Sequence, residues 1–194
     1  QSIYKDILDK DNELIFKLAQ RYYGDDEVVS DTDNIDFETR RKYSDIFASA
    51  ELSVNDFDAY AKLEYDPKNF SLVKNRIGFT YNPHPRKFIS ITHKDDGSDR
   101  NLNLSGAYPF SNKIHIFGGI DKSLTSGKIN EETTGIAYES CCWSARLAHF
   151  KTSDSVGYDY GTGLELVFKD LGTTDTYVRN KIEKRLPEYK VKLD

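Results

Sequence analysis

Strict alternation of apolar and polar residues is the feature that most limits what this chain can fold into. Ile46, Ala48, Ala50, Leu52 and Val54 alternate with Phe47, Ser49, Glu51 and Ser53. Phe57, Ala59, Ala61, Leu63 and Tyr65 then alternate with Asp58, Tyr60, Lys62 and Glu64. The same rhythm returns at Leu102–Tyr108, Ile114–Ile120 and Leu164–Phe168. Successive side chains of a strand point to opposite faces, so each segment reads as a strand with one apolar and one polar face. About ten strands are expected, at 13–23, 45–55, 57–66, 71–82, 87–95, 101–109, 113–122, 132–140, 142–152 and 158–170. Helix is expected only at the tail, around Thr176–Arg185.

The connections order these strands. Short ones fall at Asn55-Asp56, at 82–86, at Phe110-Ser111-Asn112 and at Ser140–Cys142. Longer ones include the Asp-rich stretch Gly24–Ser44, Lys122–Glu131 and Thr152–Gly157. In an up-and-down meander all the short turns then lie at one end and the longer loops at the other. Outer-membrane barrels have this asymmetry, with short periplasmic turns, longer extracellular loops and strands that alternate apolar-out with polar-in. The expected class is therefore all-β: an antiparallel meander forming part of a large transmembrane barrel.

Periodicity alone leaves a second closure open, a soluble lipocalin-like barrel with its apolar face inside. Closely spaced charges on one parity (Asp58, Lys62, Glu64, Lys74 and Arg76) favour a wide, wet interior. There is no methionine, while there are 13 tyrosines and 11 phenylalanines, and charged residues make up 30% of the chain. No apolar run reaches the roughly 18 residues of a helical membrane span. The net charge of −5 argues against a nucleic-acid partner. The first residue is Gln1, from which a processed chain or a fragment is expected.

Both cysteines, Cys141 and Cys142, are adjacent. Neighbouring Cα atoms are about 3.8 Å apart, whereas a relaxed disulfide needs roughly 4.4–6.8 Å. Each thiol needs some other partner, or none. At the short-turn end of an outer-membrane barrel the compartment is oxidising, and this chain offers no third cysteine, so a larger assembly is expected.

Tyr138-Glu-Ser-Cys-Cys-Trp-Ser-Ala-Arg-Leu147, Gly161-Thr-Gly-Leu-Glu-Leu-Val-Phe-Lys-Asp-Leu-Gly172 and the closing Ile182–Tyr189 resemble the C-terminal part of the LptD family, the lipopolysaccharide-assembly proteins of the Gram-negative outer membrane. Ile3-Tyr4, Asp11-Asn12-Glu13-Leu14 and Gln20-Arg21-Tyr22-Tyr23 resemble the family more weakly. The resemblance implies a non-enzymatic translocon, integral to the outer membrane, that transports lipopolysaccharide and inserts it into the outer leaflet. It implies an N-terminal periplasmic domain elsewhere in the full chain, an LptE-like lipoprotein plug, and passage of lipopolysaccharide through a lateral seam. It also implies that Cys141 and Cys142 each bond to a cysteine of the N-terminal region. Residues 1–172 would then be C-terminal barrel strands and 173–194 a tail after the last strand. Gly163, Leu164, Leu166 and Phe168 would form the seam strand and the signal read by the barrel-assembly machinery, with Gly161 standing where that signal normally begins with a polar residue.

Other readings compete. A general porin or receptor barrel segment shares the strand pattern. A papain-like cysteine hydrolase would use a Cys-Trp pair, but needs a histidine base, and of His84, His93, His115 and His149 only His149 follows the cysteines. His84 reads as solvated in its turn and His115 as a polar-face residue. No His or Cys spacing points to a metal, and no cofactor is expected. Gly118-Gly119 and Gly161-x-Gly163 lack the strand-to-helix setting of a phosphate loop. The acidic stretch Asp25–Asp36 reads as a solvated loop before it reads as a cation site.

Overall fold

The computed structural model describes residues 2–9, 12–29, 39–84, 86–168, 172–174 and 176–189. Along them run β1 (Ser2–Asp9), β2 (Asn12–Ala19), β3 (Tyr22–Val29), β4 (Thr39–Tyr43), β5 (Ile46–Val54), β6 (Phe57–Asp66) and β7 (Ser71–His84). They are followed by β8 (Lys87–Asp95), β9 (Arg100–Pro109), β10 (Ile114–Ser123), β11 (Ile129–Glu139), β12 (Trp143–Ser153), β13 (Tyr158–Phe168), β14 (Gly172–Thr173) and α1 (Thr176–Arg185). Twelve strands form one antiparallel sheet in the order β1-β2-β5-β6-β7-β8-β9-β10-β11-β12-β13-β14, and β3 and β4 form a separate hairpin. All ten expected strands lie in the sheet, next to their neighbours in sequence, and the expected helix is α1.

Several details differ from the sequence reading. The strand expected over 13–23 breaks at Gln20 and Arg21. There Ser44 accepts the Arg21 N–H on its Oγ at 2.8 Å, and Gln20 Nε2 donates to the Ser44 carbonyl at 3.2 Å. The stretch expected to be a loop, Gly24–Ser44, contains most of the β3–β4 hairpin; residues 30–38, including much of the acidic stretch, lie outside the described residues. Strand β1 was not expected, because Ile3, Lys5 and Ile7 against Tyr4, Asp6 and Leu8 put apolar residues on both parities. The contrast in loop length comes mainly from this hairpin, since the other long-side connections are only 67–70, 96–99, 124–128 and 154–157. Aspartates close three of them. Asp66 accepts from Lys68 N–H at 2.8 Å, Asp96 from Asp99 N–H at 3.0 Å and Asp154 from Gly157 N–H at 2.7 Å, as short carboxylates do in turns. At the opposite end the two-residue turn Asn55-Asp56 places Asn55 at φ 52°, a conformation asparagine tolerates.

Burial decides which face is in. Ile116, Ile136, Leu147 and Leu164 are 41, 46, 46 and 54% exposed, whereas His115 and Arg146 on the other parity are each 1% exposed and Glu165 is 0%. These four apolar residues form one row across four strands, in the register Ile116↔Ile136↔Leu147↔Leu164. Ile89, Ile91, Leu104, Phe79 and Leu52 continue the exposed apolar face. That is the pattern of a membrane barrel, apolar outside and polar inside, and the reverse of a soluble barrel. Aromatic residues gather at the short-turn end of the same face. Phe57 stacks on Tyr81 at 4.5 Å, Tyr138 packs on Trp143 at 5.1 Å and Tyr108 meets Phe110 edge-on at 6.3 Å, as in the interfacial girdle of a barrel. The polar face of β2, β5, β6 and β7 carries a charge ladder. Glu51 lies 3.5 Å from Lys17 and 3.1 Å from Lys62, and Glu64 lies 3.3 Å from Lys74.

Candidate functional site: a covered inner face behind the cysteine turn

On β8–β13 the polar parity is not uniformly polar. Phe88, Ala107, Phe117, Ala137, Ala148, Phe150 and Val167 are buried there. What covers much of this patch is the chain's own C-terminal segment. Val178, Ile182 and Leu186 recur every fourth residue, which aligns them on one side of α1. All three, with Tyr189, are buried against the inner face. One glycine makes room: a Cβ on Gly163 would collide with Val178. The helix carries Lys184 and Arg185 in its last turn, where cations suit the dipole, and Pro187 follows it. The Leu186 N–H still reaches the Ile182 carbonyl at 2.8 Å. At ten residues α1 is no membrane span, and no helix among the described residues is long and apolar enough to be one.

Charged anchors fix the segment. Arg185 donates from Nη1 to the Glu132 carbonyl at 3.1 Å and to Thr133 Oγ1 at 3.0 Å. Its Nη2 reaches Thr152 Oγ1 at 2.7 Å and its Nε faces Glu131 at 3.0 Å. One guanidinium thus ties α1 to β11 and β12. Glu165 on β13 pairs with Arg146 of β12 and accepts from Arg179 Nε of α1 at 3.0 Å. Arg146 and Glu165 are both fully buried, and a buried charge of this kind needs a partner in good geometry.

A second cluster lies toward the short turns. Tyr189 stacks on Phe117 at 4.6 Å, and its hydroxyl shares a 2.5 Å hydrogen bond with His115 Nε2. His115 Nε2 is 3.6 Å from Glu139, which pairs with Arg86. Arg86 also donates to the Asn112 carbonyl at 3.2 Å, and its N–H reaches His84 Nδ1 at 3.2 Å. Expected as an ordinary polar-face residue, His115 is instead buried beneath the C-terminal segment. His84 is exposed but joins this turn network.

Glu139 leads directly into the cysteines. The turn is closed by Ser140 N–H on the Trp143 carbonyl at 2.9 Å, which leaves Cys141 and Cys142 at its tip. Both side chains are exposed, with their Sγ atoms 2.8 Å apart. The hydrogen bonds from Cys142 and Ser140 hold the Cys141 thiol below the usual thiol range, with Lys113 adding a smaller effect. This tight hairpin is not the helix start of a papain-like nucleophile. His149 stands about 23 Å up the strand, on the outward face, bonded to Thr162 at 2.9 Å. Among the described residues no group of three or more His, Cys, Asp or Glu is arranged to hold a metal.

Gly163, Leu164, Leu166 and Phe168 all lie on β13. Leu164 and Phe168 are exposed on the apolar face, and Gly163 sits beneath Val178. On its far side, among the described residues, β13 pairs only with β14, through Val167↔Thr173 and Phe168↔Gly172, while Thr174 exchanges hydrogen bonds with Leu166. The sequence reading missed Phe88, Phe117, Phe150, Arg179, Arg185 and Tyr189. The available signal was three phenylalanines on the polar parity, facing a Val-x₃-Ile-x₃-Leu helix stripe.

A family model described as "LptD: LPS transport system D" matches residues 2–129. The match falls upstream of the cysteine turn, where the sequence resemblance was weaker. The LPS-assembly protein LptD of Burkholderia lata is 21% identical over 194 residues, covering 92% of this chain and 25% of that protein. Its namesake in Shewanella sp. (strain MR-4) is 25% identical over 183 residues, covering 81% and 24%. That of Paraburkholderia xenovorans is 24% identical over 143 residues, covering 69% and 18%. The chain thus spans about a quarter of the length of the curated relatives it matches. With a family match over most of its length and an open meander whose apolar face points outward, this chain belongs to the LptD family.

Proposed function

We propose that this chain is part of the outer-membrane translocon that transports lipopolysaccharide and inserts it into the outer leaflet, without covalent chemistry. Membership of the LptD family carries the reading. The exposed apolar face supports integral insertion in the outer membrane, with the short-turn aromatic girdle at the periplasmic surface. Residues 1–172 act as barrel strands and 173–194 as a C-terminal tail, part of which packs inside. The charge ladder on β2 and β5–β7 lines the lumen, where an LptE-like lipoprotein sits. Cys141 and Cys142 are the barrel ends of two disulfides to the N-terminal periplasmic domain of the full chain, since an exposed hairpin tip can reach another domain. Gly163, Leu164, Leu166 and Phe168 form the strand that borders the lateral exit and that the barrel-assembly machinery reads; its sparsely paired edge suits strand addition.

The test is to extract the full-length protein from membranes with thiols blocked, compare its migration with and without reductant, and map the peptides linked to residues 138–146. Two bonds from Cys141 and Cys142 to upstream cysteines are expected. Unbonded, alkylatable thiols in the mature protein would overturn the role of Cys141 and Cys142 as disulfide ends.

A further inference from the structure

Three consecutive short turns, β7–β8, β9–β10 and β11–β12, are joined by one side chain. Arg86 of the first pairs with Glu139 at the base of the third and donates to the Asn112 carbonyl of the second at 3.2 Å. Glu139 N–H also reaches the Lys113 carbonyl at 2.7 Å, which locks the cysteine hairpin to the β9–β10 turn. Behind this staple, His115 Nε2 is hydrogen-bonded to the Tyr189 hydroxyl at 2.5 Å and lies 3.6 Å from Glu139, packed beside it rather than bonded to it. The C-terminal segment therefore packs, through His115, against the carboxylate at the base of the turn that holds both thiols.

We propose that Arg86 is a positioning residue for the Cys141–Cys142 turn, and that the seating of Tyr189 inside the barrel sets the position it holds. This rests on the reading of Cys141 and Cys142 as disulfide ends, and it adds a check: the turn presents its thiols once the C-terminal segment has docked. A planar guanidinium suits the task because its fork can engage a carboxylate and a carbonyl together, which an ammonium cannot reproduce. Glu139, the last residue of β11, stands two residues before Cys141 at the base of the turn. While Arg86 pairs with it, its negative charge is compensated next to the thiols. The other charged or titratable groups facing Glu139 and the turn are Arg146 on β12, His115 on β10, Tyr189 of the C-terminal segment, and His84 and Lys113 in the neighbouring turns.

The experiment uses the full-length protein with its own partners, reduced, as wild type and as Arg86→Gln, Arg86→Lys, Glu139→Gln and Tyr189→Phe. The pH dependence of iodoacetamide alkylation at Cys141 is read by peptide mass spectrometry, with heat-modifiable gel mobility confirming a folded barrel. Alkylation forms an S–C bond and releases iodide, so its midpoint follows the thiolate. In Arg86→Gln, Glu139 loses one of its two neighbouring cations, which should raise that midpoint by up to about half a pH unit, whereas Arg86→Lys, which keeps the charge but not the fork, should leave the midpoint near wild type. Tyr189→Phe should raise it by less. Glu139→Gln, which leaves a cation beside the turn, should lower it, so the sign remains testable should Arg86→Gln fail to fold.

Re-oxidation with oxidised glutathione gives a second readout. Cys141 or Cys142 thiolate attacks the glutathione disulfide and releases one glutathione thiolate, which takes up a proton. An upstream cysteine then displaces the second, so two protein thiols reduce one glutathione disulfide. This rate should fall about tenfold in Arg86→Gln, as expected for a misplaced reacting group. Unchanged midpoints in folded Arg86→Gln and Glu139→Gln overturn the proposal. If wild type forms no upstream bonds, the disulfide reading fails by itself, and the alkylation midpoint still decides the role of Arg86.

Discussion

Charges are placed in this chain by what covers them. Glu51, Lys17 and Lys62 form a half-exposed ladder, where such pairs contribute at most about 1 kcal/mol each. Arg146 and Glu165 are fully buried beneath α1, and there removal of one partner is costly. Glu165→Leu, which takes the carboxylate partner from the buried Arg146, should destabilise the full-length barrel by about 3 kcal/mol, measured by urea titration in detergent, and Glu165→Leu with Arg146→Met should recover most of that loss. A loss as large in the double variant as in the single one would show that the pair is not the cause. At the opposite end, the N–H groups of Gly157 and Val156 hold the Asp154 carboxyl below its ordinary value of 3.8. A depressed carboxylate stabilises the folded turn fully above the ordinary value, and that contribution is lost as pH falls through the lowered one. The Val156 and Gly157 amide shifts should therefore titrate with a midpoint below pH 3.8; a midpoint at or above that value contradicts the turn geometry.

The strands were legible because alternation is local. Each carries its apolar face in its own sequence, as in Ile46–Val54, and the turns between them are short. The β3–β4 hairpin was not legible, since Tyr-Gly-Asp-Asp-Glu and Thr-Arg-Arg-Lys carry no apolar parity. Helix α1 was visible as a helix, yet its docking site was not, because that site is assembled from side chains of six strands. Within one strand, Phe117 looks like a break in the polar face. Its role emerges only when Tyr189 lies on it. If the segment is held by shape, Ile182→Ala should cost about 2–5 kcal/mol and expose the C-terminal segment to protease. Gly163→Ala should do the same by pushing against Val178, and adding Val178→Ala should restore protection. Failure of that restoration would mean that Gly163 is needed for strand geometry instead.

At the scale of the molecule, family resemblance and burial are separate lines of evidence. The cysteine turn drew attention in the sequence, while the family match lies upstream of it. Adjacency of the cysteines was legible, and so was the short turn that holds them. The staple behind them was not, because Arg86, Asn112, Glu139 and Tyr189 are far apart in the chain and meet only through register and the return of the tail. Which parity is exposed and which is covered also had to await the fold, since periodicity is the same for either closure. Spin labels at Ile116, Leu147 and Leu164, and at Ser49 on the polar face, would test most directly whether the exposed parity meets lipid, in the full-length protein reconstituted in bilayers. The outward labels should collide more with oxygen, which partitions into lipid, than with a water-soluble nickel chelate, and Ser49 should show the reverse. Nickel-dominated relaxation at Ile116, Leu147 and Leu164 would mean that the apolar face is not in the membrane.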